Sequence, residues 1–115
     1  MTIEQRTIGS VVVLDLNGKL VLGEGSGTLK DKVQSVIFQG QKLVLLNLAN
    51  VSYMDSAGLG ELIAAHTTVT RQGGTIKVAN LTKRVSDLLS IAKVLTVFDV
   101  YESEAEALSS FPAGV

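Results

Sequence analysis

The stretch VSYMDSAGLGELI, residues 51–63, joins an apolar run to an amphipathic segment. The residues before it, KLVLLNL at 42–48, are apolar almost throughout, which is typical of a strand buried on both faces of a parallel sheet. The residues after it carry apolar side chains at the spacing of one helix face, namely Leu59, Leu62, Ile63 and Val69. The stretch is therefore predicted to connect a buried strand to a helix that ends at Gly73.

Strand and helix patterns alternate along the rest of the chain. Predicted strands cover residues 2–8, 11–16, 42–48, 75–80 and 95–100. Further helices are predicted from Thr28 to Gly40, from about Thr82, and from Ser103 to Pro112. The first two strands are expected to form an edge hairpin that turns near Gly9, with the pair Asn17-Gly18 closing the second strand. This alternation predicts an α/β fold with a mostly parallel sheet of four or five strands, an antiparallel edge strand and about four helices.

Composition narrows the classes of function. The 115 residues are 46% hydrophobic and 18% charged, which predicts one globular domain over residues 1–111 and a short tail at 112–115. The net charge is −1 and the cations are not clustered, which argues against a nucleic-acid or anionic-membrane surface. The single histidine, His66, and the absence of cysteine exclude thiolate and multi-histidine metal sites. No signal peptide or membrane span is visible, so we expect a cytoplasmic protein. We also expect that the protein uses no cofactor.

Ser56 occupies the place that a hydrolase nucleophile takes between a strand and a helix. That motif needs glycine two residues before the serine, where this chain has Met54. The only candidate base, His66, lies ten residues on in the same predicted helix, about 15 Å along its axis. The residues therefore argue against a serine hydrolase, and we expect that the protein is not an enzyme.

A glycine-rich segment, GEGSG at residues 23–27, also lies between a strand and a helix. It lacks the third glycine of a dinucleotide-binding loop and the Gly-Lys-Ser/Thr of a phosphate-binding loop. We interpret it as a flexible surface loop, with a nucleotide-binding or hydrolytic activity as the least favoured alternative.

Two accounts of Ser56 remain open on the residues alone. In the first, Ser56 only caps the helix, Asp55 complements the helix dipole, and Gly58 and Gly60 permit close packing. In the second, Ser56 is a phosphorylation site, because a helix N-terminus tolerates an added phosphate whereas a partner docked there does not.

The segments NLANVSYMDSAGLGELI (47–63) and RQGGTIKVANLTKRVSDLLSIAKVLTVFDVYESEAEAL (71–108) resemble a STAS domain of the bacterial anti-sigma factor antagonist type. The most specific part is Asp-Ser-x-Gly-Leu-Gly after a buried strand. The resemblance implies the element order β-β-α-β-α-β-α-β-α. It also implies that the unphosphorylated protein binds an anti-sigma factor, commonly a serine kinase that uses ATP, and that a phosphatase resets it.

The family's phosphoacceptor is the serine directly after the motif aspartate, which is Ser56 here. We predict a partner-binding surface that combines the helix start with the adjacent loop. Its residues are Asp55, Ser56, Ala57, Gly58, Leu59 and Gly60, together with Gly23, Glu24 and Gly25.

The chain departs from the family at Gly18-Lys19-Leu20-Val21, where many antagonists have Gly-Glu-Leu-Asp. Loss of both acids favours an alternative, a non-switching STAS scaffold or an accessory subunit of a sensor or transport complex. The intact Asp-Ser-x-Gly-Leu-Gly favours the switch. The sequence leaves the oligomeric state open.

Overall fold

The structure is a computed structural model that describes residues 2–21, 28–93 and 97–111. The strands are β1 (Thr2–Ile8), β2 (Val11–Leu20), β3 (Leu43–Met54), β4 (Thr75–Ala79) and β5 (Asp99–Tyr101). The helices are α1 (Thr28–Phe38), α2 (Ser56–Arg71), α3 (Lys83–Ile91) and α4 (Glu104–Ser110). Among these residues, no helix has both the length and the apolar content needed to cross a membrane.

The five strands form one sheet in the order β1-β2-β3-β4-β5. β1 pairs with β2 in antiparallel orientation, and all later neighbours are parallel. The predicted α/β class, the edge hairpin and the mostly parallel sheet are confirmed. The carboxyl ends of the parallel strands therefore lie together at one end of the sheet. The helices α2 and α3 start from this end.

Each face of the sheet has its own hydrophobic cluster, because alternate residues of a strand point to opposite faces. Val12, Leu14 and Leu16 of β2 belong to the larger cluster, which α1, α2 and α3 cover. Val11 and Val13 belong to the smaller cluster, where α4 contributes Ala107 and Phe111 follows it. Three helices thus cover one face and the short α4 covers part of the other.

The prediction that Asn17-Gly18 closes the second strand is wrong, because β2 continues to Leu20. Its pairing with β3 continues beyond Asp15 with two shifts of register, one between Asp15 and Asn17 and one between Gly18 and Lys19. Asn17 also accepts a hydrogen bond from the Asn50 side chain of β3 at 2.9 Å. The long partner strand therefore overrides the local turn preference and carries β2 to the site end of the sheet.

The last strand is also shifted from its prediction at residues 95–100. β5 runs from Asp99 to Tyr101, in register with Lys77–Ala79 of β4. Residues 95 and 96 lie outside the described part of the chain. Phe98, just before the strand, is only 4% exposed and serves the core by packing instead of by strand pairing.

The ends of α1 and α2 share one geometry. The amide of Gly40 donates to Ile37 and that of Gln41 to Val36, which is the hydrogen-bond pattern of a glycine-terminated helix. Gly73 ends α2 in the same way. Both glycines have positive φ, 90° and 78°, where a side chain would be strained. The predicted helix ends are confirmed.

A polar network ties the edge strand to the rest of the sheet. The Arg6 guanidinium donates to Asp15 from Nε at 2.6 Å and from Nη2 at 2.9 Å, and it also binds Glu104 of α4. The Asn47 amide donates to Asp15 at 2.7 Å. The Arg6 hydrogen bonds therefore hold the pKa of Asp15 below its usual value.

Candidate functional site

Ser56 is the first residue of α2 and follows the carboxyl end of β3 after a single intervening residue. Its side chain is exposed. The site therefore lies at the carboxyl end of the parallel strands, which is the usual location of ligand sites in α/β proteins. Unlike a loop residue, Ser56 is held by a helix that packs on the core through Leu62, Ala65 and Val69.

Asp55, and not Ser56, is the N-cap of α2. Asp55 has extended backbone angles, φ −105° and ψ −175°, and its Oδ1 accepts a hydrogen bond from the Gly58 amide at 2.8 Å. Its carbonyl accepts the first helical bond, from Leu59 at 2.9 Å. The account in which Ser56 only caps the helix is therefore wrong, because the side chain that accepts a hydrogen bond from the Gly58 amide is that of Asp55. The Ser56 hydroxyl is not required for the cap.

Gly58 explains how α2 approaches the sheet so closely. A β-carbon built on Gly58 would stand 1.8 Å from the carbonyl oxygen of Leu20 and 2.7 Å from its carbonyl carbon. The same Leu20 oxygen accepts the Asp55 amide at 3.3 Å. The last residue of β2 thus fixes the start of α2 from both sides, and only glycine fits at position 58.

Gly60 has no such reason to be glycine. A β-carbon there would meet nothing within 4 Å, and the residue is exposed. A glycine inside an exposed helix costs about 1 kcal/mol relative to alanine. Gly60 lies one turn after Ser56, on the same side of α2. The helix surface next to the exposed Ser56 hydroxyl therefore carries no side chain at position 60.

The remaining predicted residues of this surface differ in exposure. Ala57 is partly exposed, whereas Gly58 and Leu59 are buried against the sheet. Gly23, Glu24 and Gly25 lie outside the described residues. The structure thus assembles the predicted helix start, and within it Ser56 and Gly60 are the exposed members.

Sequence patterns missed a cationic and aromatic patch around Tyr53, three residues before Ser56. Tyr53 of β3 is 41% exposed, and the guanidinium carbon of Arg84 lies 5.3 Å from the centre of its ring. Lys19 of β2 is exposed and pairs in register with Tyr53. Lys83, at the start of α3, is also exposed. The departure at Lys19 was the one visible signal, because Tyr53 and Arg84 meet only through the fold.

A shallow groove of about 410 Å³ extends from this patch along α3. Its lining residues are Met54, Lys83, Arg84, Asp87, Leu88 and Ile91. Ile91 is 79% exposed, although it is a large apolar residue. An apolar floor with charged rims is suited to a protein partner more than to a small polar ligand.

His66 does not contribute to this surface. It lies in α2, is partly buried, and its ring packs edge-on against Phe98 with the ring centres 5.3 Å apart. In the described ranges no group of three or more His, Cys, Asp or Glu side chains could hold a metal ion.

Comparison with known proteins agrees with this architecture. The family model of the STAS domain matches residues 2–107. The chain is 36% identical over 72 residues to an anti-sigma-B factor antagonist of Bacillus subtilis, a match that covers 63% of this chain and 65% of that protein. It is 26% identical over 110 residues to an anti-sigma F factor antagonist of Paenibacillus polymyxa, covering 95% and 93% of the two chains.

Among solved structures, the Bacillus cell fate determinant SpoIIAA in its phosphorylated form aligns with a TM-score of 0.72 at 20% identity, over 94% of this chain and 97% of that one. That similarity shows a shared fold. The family match covers nearly every element described above, including both segments that flank Ser56. The chain belongs to the STAS domain family.

Proposed function

We propose that this protein is an anti-sigma factor antagonist that is switched by phosphorylation of Ser56. In its unphosphorylated form it binds an anti-sigma factor, which is itself a serine kinase, and so frees a sigma factor. Phosphorylation of Ser56 ends the binding, and a phosphatase restores it. The protein acts by binding in the cytoplasm and has no catalytic role of its own.

The observation that carries the proposal is the exposed pair Ser56 and Gly60 on one side of α2. The fold uses neither residue, since Asp55 supplies the cap and a β-carbon at Gly60 would touch nothing. A stability cost without a structural benefit is expected where a surface serves contact with a partner. A partner that packs its backbone or a large side chain over Gly60 would cover Ser56 as well.

The effect of a phosphate follows from the charges around it. Phosphorylation adds about −1.5 to −2 of charge, which the positive end of the helix dipole accommodates. Asp55 already places a carboxylate at this helix start. A docked partner would have to desolvate both anions, so binding weakens while the fold persists.

The chemistry of the partner follows from the patch around Tyr53. Lys19, Lys83 and Arg84 give this side cationic groups, and Asp87 is 3.7 Å from Lys83. The partner surface should therefore present carboxylates towards Lys19 and Arg84, with an apolar side chain for the groove. Lys19, which replaces one of the family's two usual acids, thus changes the complementary surface and leaves the switch intact.

The test is the intact mass of the protein purified from the cell that makes it. The switch predicts a species that carries one phosphate, lost on treatment with a phosphatase and absent from a Ser56→Ala variant. Exclusive recovery of the unmodified mass, under conditions where the cognate sigma factor is inactive, would favour the non-switching scaffold instead.

A further inference from the structure

The edge strand β1 has an outer side that no other strand of the described residues pairs. The sheet order places β1 at one edge, and its seven residues pair only with β2. Two turn residues, Gly9 and Ser10, connect Ile8 to Val11. In such a turn the first carbonyl accepts the amide of the fourth residue, so Ile8 and Val11 form a hydrogen-bonded pair.

The alternation of antiparallel pairing then identifies the outward groups of β1. Hydrogen-bonded and non-hydrogen-bonded pairs alternate, so the backbones of Glu4 and Arg6, like that of Ile8, bond inward to β2. The amides and carbonyls of Ile3, Gln5 and Thr7 point away from the sheet. These three residues offer an unused ladder for a further strand.

Natural sheets protect long edges with prolines, bulges, lysines or a covering element. β1 has none of the first three: its sequence is TIEQRTI and its pairing with β2 is unbroken from Thr2 to Ile8. Its residues are exposed apart from Ile3. The opposite edge differs, since β5 is only three residues long.

The sequence of β1 is complementary to itself in antiparallel orientation. Centred on Gln5, the pairing sets Glu4 opposite Arg6 of a second copy, Ile3 opposite Thr7 and Thr2 opposite Ile8. The two opposite-charge pairs and the four pairs of β-branched residues are favourable cross-strand combinations. This centre also makes Gln5 and its counterpart a hydrogen-bonded pair, so the outward groups of both chains match, giving about six backbone hydrogen bonds.

The charge environment of Glu4 favours such a neighbour. Glu4 lies directly opposite Asp15 in the β1–β2 pairing, and like charges opposite each other destabilise a sheet. Within the described residues Glu4 has no ion pair, whereas Arg6 binds Asp15 and Glu104. Arg6 uses four of its N–H groups in that network, and a guanidinium has five. The remaining donor can meet Glu4 of a second chain.

We propose that β1 is a self-association surface, through which two copies form a continuous ten-stranded sheet with a two-fold axis at Gln5. The axis reverses the strand direction, so the carboxyl ends of the two β3 strands point in opposite directions. The two Ser56 surfaces therefore stay accessible together, and the dimer is bivalent. The contact is small, so association is weak and depends on concentration.

Two measurements on the full chain test the pairing. Sedimentation equilibrium between about 10 µM and 1 mM should show a mass that rises from 12.1 kDa towards twice that value. Over the same range, amide exchange should slow at Ile3, Gln5 and Thr7 and change little at Glu4 and Arg6. A mass that stays at one chain, or a dimer in which this alternation is absent, would overturn the proposal.

Charge variants give a second, independent readout. Glu4→Arg places like charges opposite each other twice per dimer and should weaken association at least about tenfold, while leaving the circular dichroism spectrum unchanged. Glu102→Arg is the matched control, since it makes the same change in net charge at an exposed residue outside β1. Equal weakening by both variants would show a net-charge effect and contradict the edge pairing. Gln5→Pro, which removes an outward amide, should abolish association.

Discussion

The carbonyl oxygen of Leu20 lies 1.8 Å from the point where a β-carbon would stand on Gly58. The lack of a β-carbon at Gly58 thus lets the end of β2 lie close against the first turn of α2. The same Leu20 oxygen accepts a hydrogen bond from the Asp55 amide, and this bond would break if α2 moved away from β2. The position of Ser56 at the start of α2 therefore depends on Leu20. Position 58 thus serves the fold, whereas position 60, two residues later, does not.

Gly58→Ala should destabilise the protein. The added methyl group would overlap backbone atoms, which cannot rotate away as a side chain can, so α2 or β2 must shift. We expect a loss of about 1–3 kcal/mol in the free energy of unfolding. Chemical denaturation by urea, followed by circular dichroism, measures it. An unchanged midpoint would mean that the approach of α2 to Leu20 is looser than described.

Gly60→Ala is the matched control on the same helix. Apart from the adjacent residues and the nearby backbone of α2 itself, no described atom lies within 4 Å of the added methyl group, and alanine is the better helix former. The free energy of unfolding should rise by about 0.5–1 kcal/mol. If Gly60 provides the flat surface for a partner, the same variant should bind that partner more weakly in spite of its higher stability. A variant that gains stability and keeps full affinity would remove Gly60 from the interface.

Asp55 is expected to contribute through its cap. Asp55→Ala leaves the Gly58 amide without its acceptor and should cost about 1 kcal/mol of unfolding free energy. Asp55→Asn should retain most of that stability, because asparagine is an equally good N-cap. Comparison of the two variants by thermal unfolding separates the hydrogen bond from the charge. Equal losses in both would assign the effect to the carboxylate charge instead.

The Arg6–Asp15 pair predicts a dependence of stability on pH. Hydrogen bonds from Arg6 hold the pKa of Asp15 below its unfolded value of about 3.9, although burial opposes this effect. The contribution is therefore present at neutral pH and is lost as the pH falls below about 5 and through the folded pKa. Because Arg6 is 41% exposed, we expect a contribution of only about 1 kcal/mol.

Urea unfolding of the wild type and of Asp15→Asn between pH 7 and pH 3 tests this expectation. The variant should be less stable at pH 7, and its stability should fall less on acidification. Glu102→Gln, which removes an exposed carboxylate outside the network, should follow the wild type. A variant that parallels the wild type over the whole range would contradict the role of Asp15.

The alternation of strands and helices follows from sequence because each strand and each helix has its own period of apolar residues. The cap of α2 does not, since aspartate and serine are both good N-caps and stand next to each other. Only the extended backbone of Asp55 and its bond to Gly58 distinguish them. The full length of β2 is also not predictable from local sequence, because Asn17-Gly18 is a strong turn signal and only the pairing with β3 extends the strand beyond it.

The candidate site divides in the same way. The motif at residues 55–60 is local, so its place at the start of a helix is predictable. The contact between Tyr53 and Arg84 joins residues from a strand and from a later helix, and no local pattern reports it. The different roles of Gly58 and Gly60 depend on tertiary contacts, because Gly58 faces the Leu20 carbonyl and Gly60 faces no other described part of the fold. The sequence alone does not distinguish them, since both lie near the start of the same helix.

The most direct test of the central claim compares the affinity of the anti-sigma partner for the two forms of the protein. Isothermal calorimetry should use the unphosphorylated protein, the protein stoichiometrically phosphorylated at Ser56, and Ser56→Ala treated with the same kinase. We predict that phosphorylation lowers the affinity at least about tenfold, or 1.4 kcal/mol, at unchanged melting temperature, and that Ser56→Ala binds as the unphosphorylated protein does. Equal affinities of the phosphorylated and unphosphorylated forms would contradict the switch.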